Sequence, residues 1–238
     1  MHAIAEFQRK FPDKKVALFD YENSFDIDYA TALGVDVNKV IIYQPDNLEQ
    51  GLNMIIELVK NDLVSLICLD SHTSALPKKI IEGEIGDATI GLAARMYSIF
   101  LAKLKGLCEK NKITLIAISQ LRANIGVMYG PSETTTSGNS WKFYSDVRIK
   151  FNKSIDKDGE KNDTTITVIK NKCGKPFGTA KISIEWGKGF DVIGEIIDIC
   201  IEYGIISKGG AWLTYGDLKV QGKEKFKEML IDNPEFRQ

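Results

Sequence analysis

Three short apolar runs, VALFD at 16–20, VSLICLD at 64–70 and ITLIAIS at 113–119, limit what this chain can fold into more than any other feature. The first two end in an acid, and all three read as buried parallel strands, because a strand covered on both faces shows a continuous apolar run instead of alternation. The stretches between them have other periods. A helix is predicted from Ile27 to Leu33, a strand at VIIY (40–43), an amphipathic helix from Leu48 to Lys60, and a long helix from about Thr89 to Lys110. Strands and helices alternating at this spacing imply an α/β layer built on a mostly parallel sheet. Upstream, Ala3, Ile4, Phe7 and Phe11 share one face at helical spacing, so the chain opens inside a helix with no capping residue before it.

Beyond the third run the pattern breaks. Residues 121–139 carry Gly, Pro and a Thr run with no sustained period, and a loop of that length in a compact domain is usually functional. VRIKF (147–151), TTITVIK (164–170) and KISIEW (181–186) then alternate around polar turns, one of them DKDG at 156–159, and predict an antiparallel extension of the sheet. Helices at GEIIDICIEYG and KEKFKEML flank a GAWLTYGD ribbon, which makes a small α+β lobe. The division expected is 1–190 for the core and 191–238 for the lobe.

Charge and composition exclude several classes. With 31 Lys plus Arg against 32 Asp plus Glu and a net charge of -1, bulk attraction to nucleic acid is weak, although a local basic surface remains open. Hydrophobic content of 44% and charged content of 26% are globular values, not those of a disordered or fibrous chain. No run approaches a membrane span and no secretory leader is evident, so a cytoplasmic location and no membrane partner are expected. Cys68, Cys108, Cys173 and Cys200 lie singly at wide spacings, as free thiols do, and His2 and His72 are too few for a histidine metal site or triad.

An acid at the carboxyl end of a buried parallel strand stands where open α/β sheets bind ligands. Asp70 ends LICLD in the manner of a Walker B strand, whose carboxylate holds Mg²⁺ directly or through water, and Glu22 follows VALFDY, where a carboxylate can polarise an attacking water. Taken singly, each reads equally well as a helix cap or a surface acid. The phosphate-cradling Gly-x-x-x-x-Gly-Lys-Ser/Thr motif is absent: Lys175, Lys188 and Lys223 each follow a Gly, but none is followed by Ser or Thr. Arg122, Asn124, Met128 and Tyr129 in the long loop supply a cation, hydrogen-bonding groups and apolar wedges, a mixture suited to single-stranded nucleic acid, though an ordinary surface loop has the same composition.

Longer motifs narrow the reading. IEGEIGD (81–87), GLAARM (91–96), GVMYG-x-x-ETTT (126–136), GN-x-x-KFY (138–144) and IKNK-x-x-x-PF (169–177), with LGVD, QPD, GAW and DNPE elsewhere, are collinear along almost the whole chain. In these the sequence resembles the bacterial RecA recombinase family. The resemblance implies a RecA-type ATPase core and ATP-dependent filament assembly on single-stranded DNA. It further implies homology search and strand exchange with double-stranded DNA, in repair and the response to DNA damage, in a bacterium or a bacteriophage.

By that resemblance Glu22 is the general base and Asp70 the Mg²⁺ acid, acting through water. Gln120 senses the γ-phosphate and passes its presence to the following loop. Asp26 and Tyr29 lie beside the adenine, Trp186 and Gly187 approach it from the neighbouring subunit, and Lys170 and Lys172 reach across the interface to the γ-phosphate. DNA contacts fall on Ile90, Arg95 and Ser98 at and after a first loop, Glu82 to Ile90. In the second, Arg122, Ile125, Met128, Tyr129, Gly138 and Asn139 contribute, with Ile125 as a wedge between bases. Phosphates are met largely by backbone N–H groups, which reconciles DNA binding with a near-neutral chain.

Departures from the family pattern are expected to matter. Asn124 and Ala102 stand where cations are usual, Ser137 replaces a Gly, and no acidic tail follows Gln238. About a hundred upstream residues, with the P-loop, have no counterpart, so a separate polypeptide carrying the P-loop is one expectation. A non-hydrolysing DNA-binding or filament-regulating module is the alternative. Without the P-loop strand, the parallel sheet is expected to expose an apolar edge or to hold a gap.

Overall fold

The computed structural model describes residues 1–84, 87, 89–123, 133–135, 138–155 and 161–233. The chain divides into two compact units, Met1–Asp146 and Val147–Gln238.

In the first unit the predicted runs become β1 (Val16–Asp20), β2 (Val40–Tyr43), β3 (Leu66–Asp70) and β4 (Thr114–Ala117), a parallel sheet in the order β2-β1-β3-β4. β1 is buried at all five positions, and its register sets Asp20 beside Asp70 at the carboxyl ends of neighbouring strands. The sheet has no gap: β3 pairs directly with β4, and the open edges are β2 and β4. Ile41, Ile42 and Ile118 are partly exposed along those edges.

The helices around this sheet follow from the apolar periods. α1 (His2–Lys10) turns Ile4 and Gln8 inward, whereas Ala3 is exposed and Phe11 lies past the helix end, half in solvent. Gln8 takes the inward position because its amide forms two bonds to the backbone of Asp36, donating to the carbonyl at 2.9 Å and accepting from the N–H at 3.0 Å. α2 (Ile27–Ala32) starts on Asp26, whose carboxylate accepts the Tyr29 N–H.

α3 (Leu48–Lys60) is capped by Asn47 and buries Leu48, Leu52, Ile55, Leu58 and Val59 on one stripe. Gly51 sits on that stripe because any Cβ there would overlap the Tyr21 hydroxyl, at 1.9 Å. α4 (Lys78–Glu82), α5 (Leu92–Asn111) and α6 (Ser140–Tyr144) complete the unit, with a two-residue ladder between β5 (Arg122–Ala123) and β6 (Glu133–Thr134). The core packs Phe19, Ile67 and Leu69 of the sheet against α3 and against Tyr97, Phe100, Leu101 and Leu104 of α5. Each such buried side chain contributes roughly 1.5–3 kcal/mol.

The second unit holds β7 (Val147–Ile155), β8 (Lys161–Asn171), β9 (Thr179–Glu185) and β10 (Gly189–Phe190). They form a four-stranded antiparallel sheet in the order β10-β9-β8-β7. α7 (Val192–Glu202), the three-stranded β11 (Ser207–Gly209), β12 (Trp212–Tyr215) and β13 (Leu218–Gln221), and α8 (Lys223–Asp232) enclose Ile197, Ile206, Leu213, Phe226 and Leu230. Lys227 of α8 lies between Glu185 and Asp191, all three nearly buried, and so ties the helix to the end of β9 and the start of α7. All four cysteines are free thiols, and no helix among the described residues is long and apolar enough to cross a membrane.

Candidate active site

The carboxyl ends of β1, β3 and β4 bring together side chains far apart in sequence. Glu22 Oε1 accepts from Ser71 Oγ at 2.6 Å, Ser74 Oγ at 2.8 Å and Gln120 Nε2 at 3.0 Å. Ser71 and Ser74 follow β3 and Gln120 follows β4, so three strands must be in register before this carboxylate is held. Those donors, Ser71 foremost, hold the Glu22 carboxyl below its ordinary range against the opposing effects of burial and of nearby Asp20. Thr73 Oγ1 accepts the Gln120 N–H at 3.3 Å and shares a hydroxyl contact with Ser71, closing a small polar network. The peptide between Asp70 and Ser71 is cis.

Asp20 was not among the residues singled out from the sequence, although the same signal, an acid ending a buried apolar run, marks it as it marks Asp70. It is 2% exposed and accepts from the N–H groups of Ser24 and Phe25 and from Gln44 Nε2. Burial works against its charge, but the bonds from Gln44, Ser24 and Phe25 outweigh it and leave the carboxyl below its ordinary range. Asp20 thereby fixes the turn that presents Glu22. Asp70 differs: burial, then the negative charges of Glu22 and Asp20, push it up. Ser71 and Ser74 were also unforeseen, since a Ser after a strand carries no signal until its partner is known.

Gln120 and Glu22 thus meet, with Asp70 at the adjoining strand end. Asp26 and Tyr29 share the first turn of α2, with Tyr29 39% exposed. In the second unit, Lys170 lies in β8 opposite Arg148 of β7, and Lys172 follows the last residue of β8, Asn171, which pairs with Val147. Trp186 is exposed beneath Lys153, whose Nζ lies 5.0 Å from the ring centroid, and Gly187 takes a left-handed φ of 74° with open space around it.

Of the residues expected to meet DNA, Ile90 is 93% exposed immediately before α5, and Arg95 and Ser98 lie on the exposed side of that helix. Arg122 is exposed in β5. Gly138 and Asn139 lead into α6. Gly138 has φ 78°, and a Cβ there would lie 2.8 Å from that of Ala94, so only glycine lets α6 close on α5. Ile125, Met128 and Tyr129 lie outside the described residues, as do Asn124 and Ser137.

Behind the Glu22 network is an aromatic cluster. The His72 ring stacks on Trp141 of α6 with centroids 4.4 Å apart and 25° between planes, and both meet Tyr97 of α5 edge-on. Burial lowers the His72 pKa to about 4, so its ring is neutral at physiological pH. Among the described residues no three His, Cys, Asp or Glu side chains converge as a metal cage.

Residues 1–191 match the family model described as the RecA N-terminal domain, and residues 194–238 match the RecA C-terminal domain. The chain belongs to the RecA family. It is 44% identical over 242 residues to Protein RecA of Chlorobaculum tepidum, a match covering all of this chain and 69% of that protein. It is 45% identical to Protein RecA of Porphyromonas gingivalis, covering 99% of this chain and 70% of that one. Protein RecA of Staphylococcus carnosus is 42% identical over 243 residues. Among solved structures, the RadB recombinase superposes with a TM-score of 0.54 over 75% of this chain and 79% of its own, at 17% identity, a likeness of fold alone. The RecA-family assignment and the α/β architecture read from the sequence both stand.

Proposed function

We propose that this chain is the water-activating and DNA-contacting part of a RecA-type recombinase, which assembles with ATP and Mg²⁺ as a helical filament on single-stranded DNA and exchanges strands with a homologous duplex. The observation that carries this reading is the Glu22 carboxylate held by Ser71, Ser74 and Gln120 at the ends of three parallel strands. A carboxylate kept ionised there can orient and polarise a water for attack on a γ-phosphate. Gln120 now donates to Glu22; a γ-phosphate oxygen competing for the same amide would free that bond and shift the start of the following loop. Half-buried Asp70 suits Mg²⁺, which is usually held by one or two carboxylates with the rest of its shell from waters and substrate phosphates. Lys170 and Lys172 would meet the γ-phosphate of the adjoining subunit, where Asp26 and Tyr29 flank the adenine together with Trp186 and Gly187. The expected boundary between ATPase core and small lobe, 190/191, and a cytoplasmic location belong to the same proposal.

These residues carry no Gly-x-x-x-x-Gly-Lys-Ser/Thr, and they span 69% of the length of the Chlorobaculum tepidum relative; phosphate cradling in this reading comes from residues outside them, whether on the same polypeptide or on another. The second reading is a DNA-binding module that caps or regulates filaments without hydrolysis, for which these residues hold the DNA-contacting positions but no phosphate-cradling motif of their own. The discriminating assay is steady-state ATP hydrolysis with single-stranded DNA, by the chain alone and with a P-loop polypeptide added. Multiple turnover that Glu22→Gln abolishes supports the recombinase. DNA binding without turnover under both conditions supports the module, and no binding at any salt concentration would overturn both.

A further inference from the structure

The buried cluster of His72, Tyr97 and Trp141 joins the segments that carry Ser71 and Gln120 to helices α5 and α6. His72 follows Ser71, a donor to Glu22, and its N–H donates to the carbonyl of Ile118, two residues before Gln120. Its carbonyl accepts the Tyr97 hydroxyl from α5, while its ring lies flat on Trp141 of α6. The two helices form one packed pair: the Ser98 and Ser140 hydroxyls bond, and Gly138 sits against Ala94. α5 follows Ile90 and itself carries Arg95 and Ser98; α6 follows Gly138 and Asn139.

The cluster is also short of partners. Nδ1 of His72, Nε1 of Trp141, and the hydroxyls of Ser119 and Ser145 are buried with no hydrogen-bond partner among the described residues. An apolar core would fill this seam without that cost. Buried polar groups that one arrangement leaves unpaired favour any second arrangement that pairs them, and two discrete packings are what coupling between sites requires.

We propose that the His72–Trp141–Tyr97 stack is a positioning element that transmits the state of the Glu22–Gln120 network to helices α5 and α6. For the DNA half of its role it rests on the recombinase reading. A change at Gln120 alters the Ile118–Gln120 segment bonded to the His72 backbone, the imidazole moves, and Trp141 and Tyr97 carry the shift into both helices together.

A double-mutant cycle tests this in the full chain. Trp186→Phe and Trp212→Phe leave Trp141 as the sole indole among the three tryptophans. Gln120→Ala perturbs one end and His72→Leu removes the stack, while His72→Phe preserves an aromatic plane against Trp141. The readouts are acrylamide quenching of Trp141 and the anisotropy-measured affinity for fluorescein-labelled oligo(dT) at fixed salt. Gln120→Ala should change oligo(dT) affinity by at least about fivefold when His72 is present, and change Trp141 quenching with it. Both effects should vanish in His72→Leu and return in part in His72→Phe.

Equal effects of Gln120→Ala with and without His72 would overturn the proposal. If oligo(dT) does not bind at all, the DNA reading fails, while Trp141 quenching still decides the stack. Should His72→Leu show no cooperative melt, Tyr97→Phe takes its place. It deletes only the hydroxyl bonded to His72, and a full Gln120→Ala response in that background would equally overturn the link.

Discussion

Replacing Asp20 probes the foundation of the site, because this carboxylate organises the turn on which Glu22 stands. Asp20→Ala removes one acceptor serving three donors: the N–H groups of Ser24 and Phe25, at 3.2 and 3.1 Å, and Gln44 Nε2, at 3.1 Å. Hydrogen bonds to a charged acceptor contribute about 1.5–3 kcal/mol each. Ser24 and Gln44 are exposed and regain water once released, so about 1 kcal/mol per bond is the better figure, for a loss of about 3 kcal/mol in all. Asp20→Asn can keep an oxygen at the Oδ2 position for Phe25 and Gln44 but loses the acceptor at Oδ1 for Ser24, and should cost about half as much. The assay is urea unfolding followed through Trp141, the one tryptophan of the first unit, in a Trp186→Phe/Trp212→Phe background. With a urea slope of about 2 kcal/mol/M, the Asp20→Ala midpoint falls by about 1.5 M. The pH dependence has a definite sign. The folded carboxyl lies below its ordinary 3.8, so its contribution is complete above that pH and is lost as pH falls through the folded value. The difference between parent and Asp20→Asn should therefore close only in acid. A midpoint shift under about 0.5 M at unchanged slope, or a difference that persists in acid, would refute the assignment.

Two further perturbations address other parts of the structure. Lys227→Met leaves Glu185 and Asp191, with side chains 14% and 5% exposed, without the cation between them; the expected loss is about 2–4 kcal/mol, somewhat below a fully buried pair. Calorimetry should show the second unit melting about 10 °C or more lower, and a change of less than about 4 °C would mean that the pair is energetically idle. Gly138→Ala forces a Cβ to within 2.8 Å of Ala94 at a φ of 78°; it should cost about 1–3 kcal/mol and expose Trp141 to acrylamide, whereas an unaltered melt and unaltered quenching would show that α6 does not need this close approach.

Much of the fold was legible because burial on both faces leaves an unambiguous trace. VIIY and the Leu48–Lys60 helix fall where their periods put them, and VALFD is a strand at every residue. Less legible was anything decided by a partner distant in sequence. The opening helix shows the point: aromatic Phe11 suggested the buried face, but polar Gln8 took it because the Asp36 backbone offered both a donor and an acceptor. α6 is a single short turn whose place depends on stacking with His72 and on Gly138, and five residues without a period announce nothing. Within the site, Glu22 and Asp70 could be read as chemistry at strand ends, and Gln120 through the family resemblance. Ser71 and Ser74 could not, because a hydroxyl becomes a ligand to a carboxylate only once β1 and β3 are side by side. His72 was discounted as half of a sparse histidine supply; its role depends on ring geometry that composition does not encode.

The electrostatics of the three acids give a reason for their unequal surroundings. Asp20, Glu22 and Asp70 share one end of two adjacent strands and repel one another, and the hydrogen-bond donors are distributed unevenly among them. Asp20 takes the amides of its own turn and Glu22 takes two hydroxyls and the Gln120 amide, so both stay ionised. The Asp70 carboxylate receives no hydrogen bond among the described residues, and burial together with its two charged neighbours raises it. Environments that drive neighbouring carboxyls apart assign them different tasks. The satisfied pair can hold a fixed geometry through a reaction cycle, whereas Asp70 has the most to gain from a divalent cation, which would cancel the repulsion that raises it and reverse the shift. Mg²⁺ affinity at Asp70 should therefore weaken as pH falls through that raised value, while the Glu22 clamp is still intact.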